Sequence, residues 1–207
     1  MPVGESDKGF GAEKGIFYYG IQSHFTSIDW WHGPLEEEPF KHSGTLNTFV
    51  VRPSLIYGLS EKINLMISST LGIRSLNWKQ PNSSMHHRNE SSLTDFHNAS
   101  GSILGDSKII LRYLVKNAGL GNGLRVYTGG GLTIPSNAQL TSDPFFLNGD
   151  KVEEHRHFSL SNGTYNYNLE AQMYYKRSAN PTFFGGFMLY ERPLSESKHG
   201  YLAPANL

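Results

Sequence analysis

Short turns alternate with long polar loops along this chain, and the segments between them carry apolar residues at every second position. The tight connections are residues 58–61, 117–122 and 178–181, and the long ones are residues 26–45, 77–104 and 135–162. Compact soluble domains seldom contain structureless loops of about twenty to thirty residues. Strict alternation of short and long connections is typical of a bacterial transmembrane β-barrel, which has short periplasmic turns and long external loops.

Seven segments keep the two-residue period of a β-strand. They are residues 15–25, 46–59, 62–76, 108–116, 124–132, 164–176 and 182–192. The sixth is the most regular, because tyrosine, leucine and methionine occupy its odd positions while Asn166, Asn168 and Glu170 occupy even ones. No segment shows a helical period. The pattern predicts an all-β, antiparallel, up-and-down sheet.

Composition excludes several functional classes. The 18 Lys and Arg balance the 18 Asp and Glu, so no basic surface for nucleic acid is expected. The chain has no cysteine, which excludes a thiolate metal site and a cysteine nucleophile. No apolar run approaches the roughly 18 residues of a membrane helix. The slightly negative mean hydropathy still fits a membrane barrel, because barrel strands turn only half of their side chains towards lipid.

The alternation does not by itself say which face of the sheet is outside. A soluble, ligand-binding barrel turns its apolar face inward, whereas a membrane barrel turns it towards lipid. Charged residues share one face at mid-strand, and aromatics such as Tyr57, Trp78 and Tyr175 lie near strand ends, as in interfacial aromatic girdles. We therefore expect outer-membrane lipid to be a partner, and keep the soluble barrel as an alternative.

The seven strands are expected to form one domain over residues 1–207 that does not close by itself. Single-chain bacterial barrels have an even number of strands. Residues 1–14 lack the apolar stretch of a signal peptide. We expect a piece of a larger barrel that lacks its signal peptide and C-terminal strands. An open sheet completed by other copies is the alternative.

Three motifs resemble one family of outer-membrane proteins. GDSKIILRYL at residues 105–114 resembles the Gly-Asp-leading strand of the family associated with the meta-pathway of phenol degradation. GGGLTIPS at residues 129–136 is similar to the glycine-rich strand of that family, and YGLSEK at residues 57–62 to its first tight turn. The resemblance implies an outer-membrane barrel of about a dozen strands that passes or binds small molecules.

If the apolar face meets lipid, eight charged residues point into the lumen. They are Arg52, Arg74, Lys108, Arg112, Arg125, Glu170, Lys176 and Arg192. Rings of Arg and Lys attract anions, so the sequence predicts passive passage of small solutes, anionic or aromatic, and neither an enzyme nor a cofactor. A plugged, salt-bridged interior is the alternative use of the same residues.

Two further hypotheses concern the third long loop. EEHRHFSLSNG at residues 153–163 resembles outer-membrane phospholipase A, in which a histidine precedes Ser-Asn-Gly, so His157 and Ser159 are candidates for a hydrolase. His155 and His157, the adjacent His86 and His87, and Glu154 raise the possibility of a Zn or Cu site. Solvated loop histidines are the preferred interpretation, and no metal ligand is predicted.

Overall fold

The computed structural model describes residues 8–34, 38–80, 84, 87–119, 121–142, 155–177 and 182–196. These residues form one antiparallel sheet, and none of them is helical. The strands are β1 (Phe17–His32), β2 (His42–Gly58), β3 (Ile63–Trp78), β4 (Glu90–Ser91), β5 (Leu104–Asn117), β6 (Gly123–Ile134), β7 (Asn166–Arg177) and β8 (Thr182–Pro193). Nothing in the described ranges is a helix long and apolar enough to cross a membrane.

The seven long strands follow one another as neighbours and curl into a half-barrel. The order is β1-β2-β3-β5-β6-β7-β8, and the short β4 pairs with the end of β3. This confirms the predicted antiparallel up-and-down sheet. Among the described residues, β1 and β8 each have a strand neighbour on one side only, so they are the two edges of the sheet.

Every long strand except β7 is longer than the alternation predicts, and the first long loop is correspondingly shorter. Residues 26–45 were expected to be a loop, but the β1–β2 ladder continues from Thr26↔Thr48 to His32↔His42, which leaves residues 33–41 as the connection. Polar side chains such as Asp29 interrupt the apolar pattern here. The ladder is made by main-chain groups, so it does not end where the pattern ends.

The tight turn between β2 and β3 is formed as expected, with the amide of Leu59 donating to the carbonyl of Ile63 (2.9 Å). The predicted turn at residues 178–181 lies outside the described residues, as do residue 120 of the middle turn and residues 143–154 of the third loop.

The two faces of the sheet have opposite compositions. On β7, Asn168 and Glu170 are buried (1% and 2% exposed), whereas their neighbours Leu169 and Met173 are more than half exposed (54% and 57%). The same alternation holds on β5, where Arg112 is 1% exposed and Leu111 is 52% exposed. We call the buried, polar side the concave face and the apolar, exposed side the convex face.

A small apolar cluster lies on the concave face near the β2–β3 turn. It consists of Ala12, Ile56, Met66 and Ile110, with Phe10 and Leu189 packed against it. Among the described residues, buried polar and charged side chains outnumber buried apolar ones. Apolar burial therefore supplies only part of the packing inside the half-barrel.

Residues 8–16, which we call the inner segment, cross the concave face before β1 begins. At one end, the Lys8 ammonium donates to Glu170 on β7 (3.0 Å). In the middle, the Asn64 side-chain amide on β3 donates to the carbonyl of Ala12 (2.8 Å). At the other end, the amide of Gly15 donates to the carbonyl of Gly58 (2.8 Å). The segment thus links β7, β3 and β2 from the inside.

Candidate functional site

An ion-pair network occupies the centre of the concave face. The Arg112 guanidinium on β5 binds both carboxylate oxygens of Glu170 on β7, with Nε to Oε1 at 2.6 Å and Nη2 to Oε2 at 3.0 Å. Lys8 donates to the same Oε2 atom (3.0 Å). All three side chains are almost fully buried. Charges buried to this degree are tolerated only when paired and hydrogen-bonded, and this network meets both conditions.

Two glycines and a glutamine bring the inner segment against this network. Gln172 donates to Glu170 and accepts from the amide of Gly9 (2.9 Å). A Cβ atom at Gly11 would collide with the Asn64 side chain and crowd the Tyr127 ring. Glycine at this position therefore allows the backbone to approach the strands closely. That approach places the Lys8 ammonium on the carboxylate.

A second ion pair lies on the concave face nearer the long loops. Lys108 on β5 donates to Glu191 on β8 (2.5 Å). The other carboxylate oxygen of Glu191 accepts from Thr133 (2.9 Å) and from the Asn166 amide (2.8 Å). The pair joins β5, β6, β7 and β8, and it neutralises one of the lysines predicted to face the lumen.

The other predicted cations of this group lie on the concave side, and three of them donate to neutral groups. Arg74 donates to Thr48 (3.3 Å) and to the carbonyl of Ser159 (3.1 Å). Arg125 and Lys176 sit near the β5–β6 turn, donating to Asn117 and to the carbonyl of Gly119 (both 3.4 Å). Arg52 shares its strand face with the buried Ser54 and Ile56. The structure thus places seven of the eight predicted residues on the concave side.

Arg192 is the exception and requires a correction. It lies directly opposite Tyr167 in the β7–β8 register, and directly opposed residues share a face of the sheet. Tyr167 belongs to the same strand face as the exposed Leu169, so Arg192 lies on the convex face, where it hydrogen-bonds with tyrosines. The concave side chain at this level is its neighbour Glu191. Because β8 has phenylalanines on both faces, the sequence does not indicate which of its residues face the concave side.

The structure gives the two hydrolase candidates separate partners. His157 contacts Glu90 through Nδ1 (2.8 Å) and its amide donates to the same carboxylate (3.2 Å). The Ser159 hydroxyl donates to the carbonyl of Ser161 (2.6 Å). A nucleophile and its base must share a hydrogen bond, and the Ser159 hydroxyl is directed elsewhere.

The segment that carries His157 is hydrogen-bonded to the loop after β4. Asn98 donates to the carbonyl of Arg156 (2.9 Å) and accepts from the Arg156 amide (2.7 Å). Burial lowers the pKa of the Arg156 guanidinium, while Glu90 and Asp95 act in the opposite direction. These contacts order two long loops against each other above the concave face.

Histidines meet at the loop end of the sheet in a combination that the sequence did not indicate. One ring nitrogen each of His32, His42 and His87 lies within 4.8 Å of the others. Of the residues considered from sequence, His86 and Glu154 lie outside the described residues, and His87 alone belongs to this group. The apolar pattern does not show that the β1–β2 ladder extends this far. The extension places His32 opposite His42.

Lys8 and Glu191 were also missed. Lys8 precedes the first strand in a segment without periodicity, and the only signal there is the close spacing of Gly9 and Gly11. Glu191 follows an aromatic-rich stretch whose two faces look alike from sequence.

We found no match to this chain among protein-family models, curated proteins or solved structures.

Proposed function

We propose that this chain forms part of a β-barrel in the outer membrane of a bacterium and that the barrel passes or binds small solutes through a polar interior. The observation that carries the proposal is the reversed burial pattern. Arg112 and Glu170 are buried, while Leu111 and Leu169, their sequence neighbours, are exposed. A protein in water would leave an apolar surface exposed at a cost of about 1.5–3 kcal/mol per large side chain.

The extent of the convex face supports a lipid environment. Its exposed large apolar side chains recur along the long strands, and they include Ile67, Ile73, Ile109, Leu111, Leu132, Leu169, Met173, Phe184 and Met188. Contiguous apolar surface on this scale is uncommon on a soluble monomer. Hydrocarbon contact removes the cost of exposing it.

The two edge strands support completion by further strands. On β1, Tyr19 and Ile21 are 82% and 75% exposed, and on β8, Phe184 is 62% exposed. Backbone groups at an open edge have no partner in hydrocarbon, so membrane sheets close into barrels. We infer that β1 and β8 pair with additional strands, as the resemblance to barrels of about a dozen strands implies.

The ion pairs reduce the number of uncompensated cations that a solute in the interior could meet. Arg112 and Lys108 are neutralised by Glu170 and Glu191, and the inner segment lies over the centre. Arg52, Arg74 and Arg125 remain on the concave side without a carboxylate partner among the described residues. Positive groups of this kind attract anions to a pore. The proposed pore therefore favours small anions, which these three arginines attract.

Ion selectivity in planar bilayers tests the solute-passage proposal. Replacing Arg52 and Arg125 together by Ala in the complete barrel is expected to lower its anion-to-cation permeability ratio towards unity. Arg192→Ala is the matched control, because it removes the same charge from the convex face. The proposal fails if the complete wild-type barrel shows no conductance, or if the double variant keeps the wild-type ratio.

A further inference from the structure

We propose that His32, His42 and His87, with Glu38 as the fourth ligand, form a binding site for a divalent transition metal of the Zn²⁺ type. The Nε2 atoms of His32 and His87 are 3.0 Å apart, and the ring nitrogens of all three histidines lie within 4.8 Å of one another. Tetrahedral Zn²⁺ with bonds of about 2.0–2.1 Å separates its ligand atoms by about 3.3 Å. Rotation of the side chains would bring the three nitrogens onto one ion.

The state of His42 is the independent observation that points to a ligand. Its side chain is 0% exposed, and neither ring nitrogen has a hydrogen-bond partner among the described residues. Buried polar groups are nearly always satisfied, and leaving one unsatisfied costs about 1–3 kcal/mol. A metal ion bound through one nitrogen would remove part of that cost.

His32 has the outer hydrogen bond that metal-binding histidines usually make. Its Nδ1 atom lies 2.7 Å from the carbonyl of Gly33, so Nδ1 carries the proton and donates to that oxygen. The lone pair is then on Nε2, which faces His87. A backbone carbonyl that fixes the tautomer and the orientation of a ligand ring is a common second contact in metal sites.

Glu38 supplies a carboxylate next to His42, outside the group of three ring nitrogens. Its Oε2 atom lies 3.6 Å from Nε2 of His42, and the side chain is 7% exposed. Ser84 donates to this oxygen (2.7 Å) and accepts from the amide of His87 (2.8 Å), so the carboxylate and the third histidine are held together. Three imidazoles and one carboxylate, without cysteine, match the donor preferences of Zn²⁺.

Metal binding would change local geometry in a defined way. The rings of His32 and His42 are stacked at 4.5 Å with an angle of 12° between their planes. A bound ion must lie close to the plane of each ring, so the rings must turn out of this stack. His32 and His87 are partly exposed, which leaves a route for the ion. The bound ion would tie the end of the β1–β2 hairpin to the segment after β3.

Calorimetric titration of the metal-stripped 207-residue chain with Zn²⁺ tests the site, and it does not depend on the barrel's role in transport. We expect about one Zn²⁺ per chain and a rise in Tm that EDTA reverses, with no rise for Ca²⁺, which prefers oxygen ligands. His32→Ala and His87→Ala should each weaken Zn²⁺ affinity by at least about tenfold, the smallest loss typical even for outer-shell partners.

His24→Ala is the matched control, because His24 lies on the same strand as His32 but is exposed and outside the group. Its affinity should equal that of wild type. Far-UV circular dichroism checks that each variant keeps its sheet, and the buried His42 is left intact for that reason. The site is refuted if the folded wild type binds no Zn²⁺, or if both histidine variants bind it as tightly as His24→Ala does.

Discussion

The charged residues at the centre of the concave face bind one another. Glu170 accepts from both Arg112 and Lys8, and all three are buried. A buried pair of this kind adds little net stability compared with apolar residues of the same volume, but removing one charge leaves its partners uncompensated. Glu170 is therefore the residue whose loss the interior tolerates least.

Glu170→Gln is expected to lower the free energy of unfolding by about 3–5 kcal/mol, because two buried cations lose their counter-charge. Urea titration of the detergent-folded protein, followed by tryptophan fluorescence, measures the change. Glu61→Gln, at the exposed β2–β3 turn, should stay within about 0.5 kcal/mol of wild type. A loss from Glu170→Gln below about 1 kcal/mol, the scale of an exposed pair, would contradict the network's role.

At the scale of elements, the inner segment occupies part of the space on the concave face. It spans from Glu170 on β7 to Gly58 on β2, and its backbone passes close to Asn64 and Tyr127 at Gly11. It is held by the hydrogen bonds of Lys8, Ala12 and Gly15 and by the packing of Phe10 and Ala12 in the apolar cluster. A Cβ atom at residue 11 would collide with Oδ1 of Asn64 and crowd the Tyr127 ring, so the segment or these side chains must shift.

Gly11→Val is expected to destabilise the protein by about 1–3 kcal/mol, the usual cost of overpacking. Hydrogen exchange should also speed up at the amides of Gly9 and Gly15, because their hydrogen bonds hold the segment in place. Gly33→Val is the control, since a Cβ atom there meets nothing within 4 Å. Unchanged exchange at Gly9 in Gly11→Val would show that the segment is not held as described.

The sequence predicted the elements better than their connections. Period-two alternation located all seven long strands, because the side that each residue faces depends only on its position along its own strand. It also placed Arg112 and Glu170 on the same side. Their pairing was not predictable, since it depends on the registers of β5, β6 and β7 together. His32 and His42 were missed because the ladder extends beyond the apolar pattern. The contact of Lys8 depends on tertiary structure alone.

At the scale of the whole molecule, the proposed membrane environment rests on the apolar convex face. Leu169 on β7 and Leu93 in the loop after β4 are equally exposed (54% and 51%), yet only Leu169 lies on a long strand. In water, a charged side chain at either position would be solvated and would change the free energy of unfolding little. In a membrane barrel, the two should differ strongly.

Leu169→Arg is expected to cost about 2–4 kcal/mol in lipid vesicles, the penalty for arginine near the bilayer midplane of a barrel. Leu93→Arg should change stability by no more than about 0.5 kcal/mol, as surface substitutions usually do. Equilibrium unfolding in urea from the same vesicles gives both values. Equal and small effects at the two positions would favour the soluble barrel.

Spin-label accessibility in a bilayer tests the orientation of the faces most directly, and the absence of cysteine makes single-cysteine labelling clean. Labels at Leu111→Cys on the convex face and Ser68→Cys on the concave face are compared for collisions with oxygen, which concentrates in hydrocarbon, and with a water-soluble nickel chelate. We predict that residue 111 collides mainly with oxygen and that residue 68 is shielded from it. Predominant collision of residue 111 with the nickel chelate would contradict the membrane assignment and the proposed passage with it.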